Sequence, residues 1–124
     1  MDGLHLTADL HGCTVALPAM SDCAALRECC LAAVAQAGLQ PVGELFHRFP
    51  EAGGITGVVL LAESHVAVHT WPELGSVTLD VYVCNYGADN SQRAEAVLAA
   101  LLAAFAPHAV ERHALRRGMK GVRA

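Results

Sequence analysis

The side chains with the clearest chemical potential lie in one short stretch near the middle of the chain. From Glu63 to Glu73 the sequence reads ESHVAVHTWPE, which places imidazoles, hydroxyls and carboxylates among apolar residues. Polar groups in apolar surroundings need a hydrogen-bond partner or a function. If the stretch is a strand, alternation puts His65 and His69 on one face and Thr70 on the other. The pattern indicates a candidate site without identifying a reaction.

This stretch resembles the processing and active-site motif of the bacterial S-adenosylmethionine decarboxylases, a family of self-cleaving, pyruvoyl-dependent enzymes. The matching positions are Glu63, Ser64, His65, His69, Thr70, Trp71, Pro72 and Glu73. The likeness continues on both sides, at His5, Leu6, Cys13, Phe46, His47, Phe49, Asp80, Val81 and Cys84. We therefore expect the activity of that family, a decarboxylase made as a proenzyme.

The resemblance implies that the chain cuts itself between Glu63 and Ser64. Ser64 would attack the carbonyl of Glu63 to form an ester, and β-elimination would then leave a β chain of residues 1–63 and an α chain of residues 64–124 that begins with a pyruvoyl group. His69 is similar to the family's base, which removes the Ser64 α-proton. Thr56 stands where the family usually has a serine that assists processing, and it keeps the hydroxyl.

The resemblance also assigns roles in decarboxylation. The pyruvoyl carbonyl would form a Schiff base with the substrate amine and act as the electron sink, so neither pyridoxal phosphate nor a metal is expected. Cys84 is similar to the cysteine that returns a proton to the α-carbon. Glu73 matches the carboxylate that binds the ribose hydroxyls of S-adenosylmethionine. Phe49 and the ring of His69 match the pair that encloses adenine, although the loop after Phe49 carries one extra residue.

Two further departures from the family pattern leave the substrate open. Asp9 stands where the family has Glu, and Asn85 follows Cys84 where glycine is usual. The resemblance implies that both lie near the substrate pocket, with Asp9 as a substrate-binding carboxylate. Relatives with the same serine, histidine and cysteine decarboxylate ornithine or arginine. Glu73 favours S-adenosylmethionine, whose decarboxylated form supplies the aminopropyl group of spermidine, and the two basic amino acids remain the alternative.

Alternating apolar residues and turn signals predict the elements that must position these groups. The predicted strands are Leu4–Leu10, Val42–Phe49, Ile55–Ala62, His65–Trp71 and Ser76–Cys84. One predicted helix is capped at Ser21 or Asp22 and runs to Ala37, and another is capped at Asn90 or Ser91 and runs to Phe105. Together they indicate an α+β fold, an antiparallel sheet with two helices on one face. The resemblance implies that a dimer of cleaved protomers stacks as four layers, α/β/β/α.

The composition bounds the remaining possibilities. The 124 residues suffice for one domain, residues 1–124, and 54% hydrophobic against 16% charged content indicates apolar surface buried in a homodimer. A net charge of −4 argues against a nucleic-acid partner, and the basic segment 112–123 is interpreted as a solvated tail. Without a long apolar run we expect no membrane segment and a cytosolic protein, in which the five cysteines are reduced.

Two other classes of function remain open at this point. His65, His69 and Cys84 could supply nitrogen and sulfur ligands to zinc, although their spacing matches no familiar zinc pattern. The chain could also be a processing-dead relative that serves as an interaction subunit. The intact set of Ser64, His69 and Cys84 argues against that second alternative.

Overall fold

The computed structural model describes residues 2–118, which form one antiparallel sheet with two α-helices packed on one of its faces. The elements in chain order are β1 (Gly3–His11), α1 (Cys23–Gln36), β2 (Pro41–Arg48), β3 (Ile55–Leu61), β4 (Ser64–Trp71), β5 (Ser76–Cys84), α2 (Ser91–Phe105) and β6 (Ala109–Arg117). Short 3₁₀ turns precede α1 and follow β4. The strand order across the sheet is β2-β3-β4-β5-β1-β6. The predicted α+β class, with two helices on one sheet face, is confirmed.

Strand alternation gives the sheet two different faces. Val66 and Val68 of β4 are buried beneath the helices, and so are Leu79 and Val81 of β5. Phe105 and other apolar residues of α2 complete this core. The opposite face carries intervening residues such as His65 and Asp80, which are only half-buried, and among residues 2–118 no helix covers it. We call it the open face. Neither described helix is long and apolar enough to cross a membrane.

The two helices begin in different ways. Asp22 caps α1 as predicted, because its side chain accepts a hydrogen bond from the Ala24 N–H. Asn90 occupies the corresponding position of α2, but its side chain makes no capping bond. Instead, Asp89 accepts a hydrogen bond from the Ser91 N–H at 2.9 Å, and the bonds from Ser91 hold the pKa of Asp89 below its usual value. The Asn90 amide is therefore available for another contact.

The interpretation of residues 112–123 as a solvated tail was wrong for the part that the structure describes. Ala109–Arg117 forms β6, which pairs with β1 along its whole length. This pairing satisfies backbone groups that β1 would otherwise expose at a sheet edge. Every residue of β6 is exposed, so the strand lacks the alternation by which sequence reasoning detects strands. The rest of that segment, residues 119–123, lies outside the described residues.

A buried hydroxyl ties the sheet to the segment that precedes α1. Thr70 is only 3% exposed and is the one buried polar residue among residues 2–118. Its Oγ1 donates a hydrogen bond to the Met20 carbonyl at 2.8 Å and accepts one from the Ile55 N–H at 2.9 Å. This brace fixes the end of β4 that carries His69 and Trp71.

Replacing Thr70 by valine keeps the shape of the side chain and removes both hydrogen bonds. We expect Thr70→Val to lower the free energy of unfolding by about 1–3 kcal/mol, since a buried N–H and a buried carbonyl lose their partner. Urea titration at fixed protein concentration measures the change. The matched control is Thr7→Val on the open face, which we expect to change the free energy by less than about 0.5 kcal/mol. Equal effects of the two variants would contradict the bracing role of Thr70.

Candidate active site

The predicted cleavage point lies in the tight turn between β3 and β4. Leu61 pairs with Ser64, so only Ala62 and Glu63 make the turn. Glu63 has a φ of 58°, in the left-handed region, and within residues 2–118 only Ala106 is another non-glycine residue with positive φ. A side chain in this region costs about 1–2 kcal/mol. The Glu63–Ser64 peptide bond therefore directly follows a strained residue.

Ser64 and the backbone of Cys84 are in contact at this end of the sheet. The Ser64 Oγ accepts a hydrogen bond from the backbone N–H of Cys84 at 3.1 Å, and Cys84 is 8% exposed. The carbonyl of Cys84 accepts a bond of 2.9 Å from the Asn90 side chain. The Asn85 side chain accepts a bond from the Asn90 N–H at 2.8 Å. The unusual residue at position 85 thus shapes the loop between Cys84 and α2.

Thr56 and His69 meet at the opposite end of the same strands. They are directly opposite one another on β3 and β4, and Thr56 Oγ1 and His69 Nδ1 share a hydrogen bond of 3.1 Å. The Trp71 ring stacks on the His69 ring, with centroids 5.7 Å apart and an interplanar angle of 23°. These contacts fix the plane of the imidazole. Nε2 is the ring nitrogen that takes no part in the bond to Thr56.

A cavity of about 160 Å³ opens beside His69. Its lining gathers Thr56, His69, Phe49 and Glu73, four of the residues assigned to the site from sequence, together with Trp71. Sequence reasoning gave Trp71 no substrate role, although a large aromatic residue two positions after His69 on a strand shares its face. The volume is about half the lower limit of roughly 300 Å³ for typical small-molecule sites. This surface therefore provides only part of a substrate site.

Within one chain, the structure does not bring Ser64 and Cys84 close to His69 and Thr56. Ser64 and His69 are five residues apart on the continuous strand β4, which separates their Cα atoms by about 16 Å. Asp9 is exposed on β1 and pairs with Thr78, which pairs with His69, so it lies about 10 Å from His69 across the sheet. It does not line the cavity.

A cluster of aromatic and charged groups occupies the open face near Ser64. His5 Nε2 lies 3.1 Å from Asp80 Oδ1, and His65 stacks on Tyr82 with centroids 5.6 Å apart. Partial burial, followed by the nearby His5, lowers the pKa of His65. His65 and His69 are four residues apart on β4, or about 13 Å. The three ligands of the zinc hypothesis, His65, His69 and Cys84, are therefore not grouped around one point.

Known proteins resemble this chain over nearly its whole length. The family model described as S-adenosylmethionine decarboxylase matches residues 4–118. An S-adenosylmethionine decarboxylase proenzyme from Symbiobacterium thermophilum is 40% identical over 94% of this chain and 83% of its own length. The proenzyme from Archaeoglobus fulgidus is 35% identical over 94% of this chain and 97% of its own length. The crystal structure of the adenosylmethionine decarboxylase from Aquifex aeolicus superimposes with a TM-score of 0.86, at 32% identity, over 98% of this chain and 95% of that one.

The strain at Glu63 can be measured in a chain that cannot cut itself. In a Ser64→Ala background, we expect Glu63→Gly to raise the free energy of unfolding by about 0.5–1 kcal/mol, because glycine adopts positive φ without a Cβ clash. Thermal or urea unfolding measures the change.

Ala62→Gly in the same background is the matched control, since Ala62 is in the same turn but is not among the positive-φ residues. We expect it to lower the free energy of unfolding by about 0.5–1 kcal/mol. A destabilising Glu63→Gly would mean that the turn stores no strain at this position.

Proposed function

The chain belongs to the S-adenosylmethionine decarboxylase family, and we propose that it is a self-processing enzyme that releases carbon dioxide from S-adenosylmethionine. The observation that carries the proposal is the arrangement at the turn. The bond to be cut follows Glu63 in a left-handed conformation, and the adjacent hydroxyl of Ser64 is held by the Cys84 N–H. Backbone strain beside a positioned nucleophile is what self-cleavage requires.

The proposed cleavage has two steps. Ser64 Oγ bonds to the Glu63 carbonyl carbon as the bond from that carbon to the Ser64 nitrogen breaks, and the hydroxyl proton ends on that nitrogen. A base then removes the Ser64 α-proton, the Cβ–Oγ bond breaks, and Glu63 leaves as a carboxylate that keeps Oγ. Addition of water to the remaining residue expels its nitrogen as ammonia and leaves a pyruvoyl group. The residues present fit this group because Ser64, its source, directly follows the strained residue Glu63.

The pyruvoyl group, once formed, supplies an electron sink for loss of the substrate carboxylate. The chain's own residues bind, orient and protonate. Cys84 is joined to Ser64 through its peptide N–H, so its thiol starts close to the reacting end and is suited to returning a proton to the substrate. Its low exposure limits competing proton transfer from water.

We infer that the complete site forms between two copies of the chain. Each copy carries a processing end, Ser64 with Cys84, and a substrate end, Thr56 with His69 and the cavity, and these ends are about 16 Å apart. Two open faces packed with their β4 strands antiparallel would set His69 of the partner subunit over the end of β4 that begins at Ser64. The exposed Leu45 and Leu60 on that face would then be buried, which favours the four-layer dimer.

The cavity favours a nucleoside substrate over ornithine or arginine. Phe49 and Trp71 supply aromatic surface, and Glu73 supplies a carboxylate that can accept hydrogen bonds from two adjacent hydroxyls. Ornithine and arginine contain no aromatic base that could stack on these rings. On this proposal the product is the aminopropyl donor for spermidine synthesis.

Self-cleavage and substrate choice can be tested on one preparation. A denaturing mass spectrum should show two fragments, residues 1–63 and residues 64–124, the second with a pyruvoyl end. Ser64→Ala should remain a single chain of about 13.0 kDa, because the nucleophile is absent.

Release of labelled carbon dioxide should be fast with S-adenosylmethionine and at least about a hundredfold slower with ornithine or arginine, which lack the groups that the cavity binds. An intact wild-type chain, or faster release from a basic amino acid, would refute the proposal.

Mixing two inactive variants tests whether the site is shared. We expect Ser64→Ala and His69→Ala each to fail to cleave alone. Co-expressed, they should form heterodimers in which the intact Ser64 of one chain meets the intact His69 of the other, so cleaved His69→Ala chains should appear and reach up to about half of that chain at random pairing. The control is co-expression of His69→Ala with the double variant Ser64→Ala, His69→Ala, a mixture without an intact His69 in which no cleaved chain should appear. No cleavage in the first mixture would mean that each chain builds its own site.

A further inference from the structure

Side chains contact the backbone of Cys84 at both its N–H and its carbonyl. Its N–H donates to Ser64 Oγ at 3.1 Å, and its carbonyl accepts from the Asn90 side-chain nitrogen at 2.9 Å. Cys84 is the last residue of β5, and on the β1 side the backbone is still held, because the Asn85 N–H donates to the Asp2 carbonyl at 2.7 Å. On the other side β4 begins only at Ser64, so there the Cys84 N–H and carbonyl are held by Ser64 and Asn90.

Asn90 itself is anchored at three points. Its backbone N–H donates to Asn85 Oδ1 at 2.8 Å, and its own Oδ1 accepts from the Arg93 guanidinium at 2.6 Å. Its backbone carbonyl accepts the first intrahelical bond of α2, from Ala94. The side chain stands at the N-cap yet leaves capping to Asp89. Helix capping therefore does not account for the orientation of the Asn90 amide.

A series of hydrogen bonds connects the Arg93 guanidinium to the Ser64 hydroxyl. Arg93 donates to Asn90, Asn90 donates to the Cys84 carbonyl, and the Cys84 N–H donates to Ser64. The Cys84 carbonyl and the Cys84 N–H belong to two successive peptide groups, so Arg93 and Asn90 influence Ser64 by fixing the position of the Cys84 backbone that carries this N–H. An N–H aimed at Oγ stabilises the negative charge that develops there as the hydroxyl proton leaves.

We propose that Asn90 and Arg93 are positioning residues for self-cleavage, which act through the Cys84 peptide to hold Ser64 Oγ for its attack on Glu63. The inference rests on the proposed function, and it gives Cys84 a backbone role in maturation separate from that of its thiol. The step it serves is the first one, in which the Oγ–carbon bond forms, the peptide C–N bond breaks and the proton passes to the Ser64 nitrogen.

The test uses Asn90→Asp, which is nearly the same size. Aspartate is a good N-cap residue and can still accept from Arg93, but it cannot donate to the Cys84 carbonyl. We expect the full-length chain, made in a short cell-free pulse and followed by mass spectrometry, to form its two fragments at least about tenfold more slowly than wild type, because the nucleophile loses its alignment. Hydroxylamine, which cleaves esters, should not restore cleavage, since the block precedes the ester.

Asp89→Ala is the matched control. It removes the true capping bond of α2 and costs helix stability, but it leaves the contact to Cys84 intact, so we expect cleavage within about twofold of wild type. Arg93→Met keeps an apolar stem and removes the charge. Because Arg93 is exposed and water screens it, we expect a smaller slowing, about twofold to fivefold.

If the wild-type chain cleaves itself, any one of three results would overturn this inference without affecting the proposed function. They are cleavage of Asn90→Asp at the wild-type rate, rapid hydroxylamine cleavage of the Asn90→Asp chain, and equal slowing by Asp89→Ala. A wild-type chain that never cleaves would overturn the proposed function, and this inference with it. If Asn90→Asp fails to fold, Arg93→Met still decides the question, since unchanged cleavage of Arg93→Met would contradict a positioning role for Arg93.

Discussion

The two-residue turn between β3 and β4 sets the register from which both the core and the site follow. Because Leu61 pairs with Ser64, the chain must reverse through Ala62 and Glu63 alone, and Glu63 takes a conformation that favours glycine. The same register sends Val66 and Val68 into the core and leaves alternate residues on the open face. A slip of one residue would reverse every side chain of the strand. Core packing therefore protects the geometry of the bond that we propose is cut.

The sequence predicts most of the fold because the inner strands have one buried and one less buried face. Ser76–Cys84 was predicted with the bounds that the structure shows, and the other four predicted strands differ by one residue at one or both ends. The missed strand, β6, has both faces exposed and lies at the sheet edge, so its partner β1 rather than its own pattern determines its structure. Neighbouring strands override local composition at such positions.

The residue types of the site could be predicted through the family resemblance, whereas their grouping could not. Thr56, His69, Phe49 and Glu73 gather around one cavity, and Ser64 with Cys84 lies at the other end of the sheet. The predicted strand implies only that Ser64 and His69 lie about 16 Å apart, and not which residues gather at each of the two ends. The contact between Asn90 and Cys84 left no such signal, because a residue at an N-cap is normally explained by capping.

The strand order has a consequence for the life of the molecule after the turn is cut. Residues 1–63 contribute β1, β2 and β3, and residues 64–118 contribute β4, β5 and β6, so that β1 lies between two strands of the other fragment. The fragments are interleaved rather than adjacent, because three of the five strand pairings (β3 with β4, β1 with β5 and β1 with β6) join one fragment to the other. The precursor folds as one chain, but a cleaved and unfolded molecule would have to find its missing half by diffusion. Maturation would thus convert a protein that can refold at any dilution into one whose recovery depends on concentration, and its working lifetime would be set by how slowly it first comes apart.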